Sequence, residues 1–322
     1  MNVLSGLSAN TRRTLGAIVM ALVLLVVGSL AIEGFGAPFA IRSMFVLATF
    51  IAVASIGQTL VVLLGGIDLS IPFVIGFANV VAASLYGGGI AFWLVCLVVA
   101  SLSMAIGALN GGLSSFLKIH PLIVTLGVGT TVQGIVLMWT GGLPTGSAPA
   151  YLSEFVSIGG TIGPLPVPWV VPCFAVLAIF VHVLLARTPF GRQVYALGSN
   201  PTAAPLALID PHRIVIVSYA LSALFAALAG ILLLGFTGSA YGDVGQPYLF
   251  QSIAAVVIGG TALVGGRGSL IGTIAGSAVL IELNTFLIGL GLAPSAVQAA
   301  LGVVILLLVS IYGREAHVRT LI

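Results

Sequence analysis

Long uncharged apolar runs follow one another along almost the whole chain, and this feature narrows the choice of fold more than any other. A hydrocarbon core about 30 Å thick is crossed by roughly 20 apolar residues in a helix. Charged residues make up 5% of the 322, against roughly 25% in a soluble domain, so too little charge is present to coat such a particle in water. In lipid only helices and closed barrels satisfy every backbone group, and the runs here are continuous, not alternating. The expectation is an all-α, polytopic helical membrane protein with about ten transmembrane helices, folded as one domain over 1–322.

The runs place spans at 15–32, 41–63, 71–85, 91–112, 121–140, 167–186, 214–237, 249–264, 270–288 and 295–312. The third and eighth are short, which makes one of them a candidate for a re-entrant or broken helix. Lys and Arg stay on the cytoplasmic side of short loops. With a cytoplasmic N-terminus, ten spans leave Arg42 alone outside and put the other Lys and Arg, Arg314 and Arg319 included, inside. Both termini are then cytoplasmic, and Trp93, Trp139 and Trp169 fall near the outer interface. The first apolar stretch exceeds the roughly 7–15 residues of a signal-peptide core, so a retained first span is expected.

Ten Lys and Arg against seven Asp and Glu are too few to line a phosphate backbone, which sets nucleic acid aside. Cys96 and Cys173 sit in apolar runs and argue for neither a disulfide nor a metal site. The 42 glycines point, in lipid, to closely approaching helices. No His-Glu-x-x-His, nucleophile elbow or phosphate-binding loop occurs, so neither catalysis, a cofactor nor ATP binding is expected of this chain.

Polar side chains at membrane depth are costly and mark partners or pathways. Amides dominate here, and amides both donate and accept, which suits the hydroxyls of a neutral polyol. Gln58, Asn79, Asn110, Asn284 and Gln298 are candidates for a translocation path, with Gln133 beside them; interhelical bonding is the alternative use of each. Glu282, the acidic residue well inside a span, is expected to be neutral or paired and raises the alternative of a proton-coupled secondary carrier. Asn284 follows it by two residues at 100° each, so it lies on the opposite helix side, with Ser277.

Gly65-Gly66-Ile67-Asp68-Leu69-Ser70 ends the second span, Ser70 is placed to cap the third, and Pro72 falls in its first turn. Gly65, Gly66, Asp68 and Ser70 are therefore hinge or gate candidates. A similar passage runs from Ile258-Gly259-Gly260-Thr261 through Gly265-Gly266 to Ser269, as a parallel repeat or by chance. The outer loop 141–166, with Glu154 as its charge, is rich in Gly and Pro and able to fold back toward the membrane. Asn200-Pro201 and Asp210-Pro211 are helix-start signals in the inner loop 188–213, where a short surface helix is expected.

Gly65 to Ser70, Leu109-Asn110-Gly111, Ile119 to Gly127, Arg187 to Asn200, Ile253 to Thr261, Gly265 to Ser269, and Gln298 with Gly302 form an ordered series of blocks. On these the chain shows a resemblance to the inner-membrane permease subunits of ribose-type monosaccharide ATP-binding-cassette importers. It implies a second permease subunit, identical or paralogous, a path at their interface and a bacterial inner-membrane location. It also implies a periplasmic sugar-binding protein outside and a cytoplasmic ATP-binding subunit inside that hydrolyses the ATP. The family's coupling helix maps to about 198–209, with Gly198, Asn200, Pro201, Ala203 and Ala204 as coupling residues. Pro72, Pro205 and Glu282 depart from the family pattern; Pro205 removes a donor and crowds the preceding turn, so a short or bent helix is expected. A membrane scaffold without transport has no use for such a loop.

Overall fold

The computed structural model describes residues 9–312; Arg314 and Arg319 lie outside the described residues. Twelve α-helices occur among them: α1 (Ala9–Ala31), α2 (Pro38–Leu63), α3 (Ile71–Gly87), α4 (Phe92–Phe116), α5 (Pro121–Thr140), α6 (Ala150–Val156), α7 (Val170–Arg187), α8 (Pro189–Ser199), α9 (Pro211–Thr237), α10 (Tyr248–Ile258), α11 (Leu270–Gly289) and α12 (Pro294–Tyr312). Ten of these follow the expected spans in order, while α6 and α8 lie in the two long loops. Seven are long and apolar enough to cross a bilayer; α3, with 17 residues, and α10, with 11, are shorter.

Proline opens α2, α3, α5, α8 and α9, where its fixed φ suits the first turn and no donor is missed. The Asp210 carboxylate caps α9 by accepting from His212 N and Arg213 N, and the Thr188 and Ser269 hydroxyls cap α8 and α11. Gly141 and Gly238 close α5 and α9 in the left-handed region.

The spanning window of α2 is 89% buried and that of α9 67%, against 11% for α1, so α2 and α9 form the centre and α1 the rim. Glycine lets the backbones meet. A Cβ on Gly107 of α4 would strike the Tyr219 carbonyl of α9, and one on Gly111 would lie 2.7 Å from Ile216 Cα. Gly57 of α2 faces Ser222 of α9 in the same way, at 2.7 Å from its carbonyl oxygen. Such close approach is the main attraction between helices once lipid removes the hydrophobic drive. Outward faces carry Leu22, Leu30, Ile123, Met138, Val176 and Phe180, all exposed. Trp93, Trp139 and Trp169 are exposed at one end of the bundle, the start of α4, the end of α5 and the start of α7.

One span differs from that expected, and part of the outer loop folds back onto the bundle. The eighth stops at Ile258, because Gly259 packs backbone to backbone on Gly272 and Gly260 turns at φ +83°. The 141–149 loop folds back along α3, with Gly146 against the Ala83 carbonyl and Ser84 Oγ donating to Thr145 O at 3.1 Å. Gly111→Val is expected to lower stability by about 1–3 kcal/mol by prising α4 from α9. Gly112→Val, with open space around it, is expected to stay within about 0.5 kcal/mol. Thermal unfolding in detergent distinguishes the two.

Candidate functional site

After α2 the chain turns at Gly65, φ +80°, and brings Asp68 into the interior, where it is 1% exposed. Asp68 Oδ1 accepts from Ser70 N at 2.9 Å and from Ser70 Oγ, and Oδ2 accepts from Ser222 Oγ of α9 at 2.7 Å. Asn110 Nδ2 of α4 donates to Ser70 Oγ at 2.9 Å, and Leu69 N donates to Thr125 Oγ1 of α5 at 3.0 Å. One short link thus joins α4, α5 and α9 to the start of α3. Ser70 does not cap α3 with its side chain: the hydroxyl is spent on Asp68, and its φ and ψ of −80° and −15° are already helical.

Near α8 the second Gly-Gly passage meets the first. Gly266 N donates to Leu63 O at 2.8 Å, and a Cβ on Gly265, φ +88°, would lie 2.8 Å from Gly65 N. Gly198 of α8 covers both breaks; its Cβ would collide with Leu63 O and lie 2.8 Å from Gly266 N. Tyr195 Oη donates to Gly268 O at 3.1 Å, and Ser199 Oγ to Gly266 O at 3.3 Å. Burial pushes the Tyr195 phenol up from its usual range, so it remains a donor. The two breaks and α8 therefore form one clasp.

The expected surface helix over about 198–209 is not an α-helix. Asn200 ends α8, and its Oδ1 accepts from Thr202 N at 3.1 Å and Ala203 N at 3.0 Å. One 3-10 turn, Ala204–Ala207, follows, and Leu208 adopts φ +59°. Pro205 accounts for the difference, since it cannot donate within a longer helix. Ala204 is buried and Pro201 and Ala203 are exposed, while Leu206 and Leu208 stand out at 87% and 94% exposure.

The third feature lies between α9 and α10. From Gly238 the chain pairs with the 141–149 loop, Ala148 N donating to Gly238 O and Ala240 N to Gly146 O, and then turns back into the bundle. Asn79 Oδ1 accepts from Tyr241 N at 2.8 Å, and its Nδ2 donates to Gly230 O at 3.4 Å. A 3-10 turn, Gly242–Gly245, then packs its backbone on Gly76 and on the Pro72 carbonyl, in the first two turns of α3. Irregular backbone at membrane depth is tolerated where it is covered by protein or lines a cavity, and this segment does both.

Tyr241, Asp243 and Gln246 of this segment separate the cavities around it. One of about 130 Å³ lies toward α3 and α5, where Gln133 Nε2 donates to Asp243 Oδ1 at 3.1 Å. A second, about 800 Å³, opens beside α2 and α11 and is lined by Gln251 and Asn284. A third, about 550 Å³, carries Gln251 and Gln298 next to α12.

Asn284 and Gln298 therefore border open cavities, whereas Gln58, Asn79 and Asn110 are fully buried. Asn79 and Asn110 hold the partners described above, and neither amide atom of Gln58 has a protein partner. Glu282 is 9% exposed and lies outside the Asn284 cavity, on the other side of α11; its Oε2 has no hydrogen-bond partner. Tyr241, Asp243, Gln246 and Gln251 escaped the sequence reading because the join of the seventh and eighth spans reads as an ordinary loop. The signal was Gly238, Gly242, Gly245 and Pro247 crowding the start of an unusually short span.

The bundle, with its folded-back segment and a clasp of paired breaks at one end, has the build of a multi-pass membrane protein, and its family and relatives make it a permease, a transport subunit and not an enzyme. The family described as branched-chain amino acid transport system / permease component matches residues 40–310, and the chain belongs to it, as a ribose-type ATP-binding-cassette permease. It is 33% identical to the ribose import permease protein RbsC of Escherichia coli (strain K12), over 82% of each chain. The ribose import permease protein RbsC of Bacillus subtilis (strain 168) is 33% identical over 92% of this chain and 91% of its own. The autoinducer 2 import system permease protein LsrC of Shigella flexneri is 33% identical over 75% of this chain and 69% of its own. No solved structure matches.

Asp68→Ala strands three donors and is expected to cost about 2–4 kcal/mol, whereas Ser222→Ala, removing one bond to a charged group, costs roughly 1.5–3 kcal/mol. Thermal unfolding in detergent measures both.

Proposed function

We propose that this chain is the membrane permease of an importer that passes a neutral monosaccharide, pentose or hexose, from a periplasmic binding protein to the cytoplasm. ATP is hydrolysed on separate cytoplasmic subunits. Two permease subunits, identical or paralogous, pair around the path in a bacterial inner membrane, with both termini cytoplasmic. The observation that carries this reading is the folded-back segment 238–247, which sets uncharged amides and a phenol beside open cavities at membrane depth. The names of the relatives, ribose and autoinducer 2 permeases, support a small solute of this kind.

In this reading Asn284, Gln246, Gln251 and Gln298 offer weak, exchangeable hydrogen bonds to sugar hydroxyls. Asn79 and Asn110 keep the walls in place. Force arrives at the exposed loop: Pro201, Ala203, Leu206 and Leu208 meet the ATPase, and Asn200, Ala204 and Gly198 fix the loop's shape on α8. Because α8 is clasped to both breaks, its displacement reaches α2 and the 259–269 loop together. From that loop α10, eleven residues or about 16 Å long, leads directly to Gln251 and Gln246. Gly65, Gly66, Asp68 and Ser70 form the pivot, with the Asp68 network moving α3, α4, α5 and α9 as one body.

Leu206→Ser combined with Leu208→Ser is expected to cut uptake in cells at least tenfold and to release the ATPase on co-purification. Thermal stability should stay within about 0.5 kcal/mol, since both side chains are exposed. Unimpaired uptake would remove the coupling assignment. Uptake that survives loss of the ATPase and collapses with a protonophore would instead favour a carrier working through Glu282.

A further inference from the structure

We propose that the cavity between α3, α5 and the folded-back turn is a low-affinity site for a neutral polyol, with Asp243 as its principal hydroxyl acceptor. The proposal deepens the importer reading and rests on it.

Asp243 uses one carboxylate oxygen on the Gln133 amide, and no hydrogen bond from the described residues reaches the other. Gln133 Oε1, the Tyr241 hydroxyl and the Gln246 amide are likewise unengaged, and all four residues border the same space. The α3 side is apolar. Phe73 and Phe77 stand four residues apart on α3, one above the other on one face. One wall of hydroxyl-binding groups and one of aromatic rings match the two sides of a sugar ring, whose hydroxyls and C–H faces point different ways. Most small-molecule sites share this plan, an apolar lining with a few placed polar groups.

The volume, about 130 Å³, equals that of about four waters at roughly 30 Å³ each, room for one small polyol. Asp243 is exposed to this space, so its second carboxylate oxygen is open to a ligand. Structural pairing with one neutral amide is a poor return, because the second oxygen is left over. A vicinal diol supplies two O–H donors and makes charge-assisted hydrogen bonds to the carboxylate. No Lys or Arg borders the cavity, so its negative charge stands uncompensated and repels sugar acids. The site therefore selects for neutral polyhydroxylated solutes over their carboxylated or phosphorylated forms.

The test uses the full chain in lipid nanodiscs, without ATPase or binding protein, and saturation-transfer NMR with millimolar D-ribose, D-glucose and D-gluconate. Wild type is expected to transfer saturation to both neutral sugars and at least fivefold less to gluconate. Asp243→Asn, which keeps the shape, is expected to abolish that preference, and Gln133→Leu to cut the neutral-sugar signal at least fivefold. Val176→Ser, on the outward face of α7, should leave the signal unchanged. No transfer to either neutral sugar in wild type, or a preference that persists in Asp243→Asn, overturns the site. That result leaves the importer reading intact if uptake still depends on Leu206 and Leu208; ATPase-independent uptake defeats the importer reading without touching the NMR result.

Discussion

Asp68 is almost wholly buried, and the arrangement of the bundle around it follows from how its carboxylate is met. Burial opposes the ionised form, while Ser70 supplies a backbone and a hydroxyl donor and Ser222 a second hydroxyl. A buried hydrogen-bonded network fixes geometry more sharply than apolar contact, because each bonded partner has one place to stand. Here that fixes the depth of Ser222 on α9, of Asn110 on α4 and, through Leu69, of Thr125 on α5. The glycines at 57, 107 and 111 then bring the same helices within backbone contact. The carboxylate sets the register and the glycines set the spacing.

Much of this is legible in the sequence. Apolar runs marked the helices because lipid enforces their length, and the loop likeness between Gly65-Gly66 and Gly265-Gly266 pointed to two passages that the fold brings into contact. An amide in a span is conspicuous, so the sequence marks Asn284 and Gln298, which border open cavities. The turn at Asp243 was not, since a charge between two spans looks like any surface loop, and only the packing of Gly242 on Gly76 reveals its depth. Gln58, Asn79 and Asn110 show the converse limit. Sequence identifies a buried amide but not whether it faces a neighbour's backbone or an opening, because this depends on helix rotation and on backbone that periodicity does not describe.

The surface-helix expectation differed for a local reason. Asn200-Pro201 does initiate a turn, through the Asn200 side chain, but Pro205 arrives before a second helical turn can form. What remains is a compact knuckle with Ala204 tucked in and two leucines presented outward, a shape set more by one proline than by the residues around it.

Gly198 carries a mechanical consequence. At Gly198 itself α8 meets the paired breaks main chain to main chain, with no side chain of its own that could flex or change rotamer under load. Side-chain contacts yield before they transmit; a joint of bare backbone has almost no slack. A larger residue there would act as a spacer in a coupling built without clearance, spoiling the fit of both breaks at once.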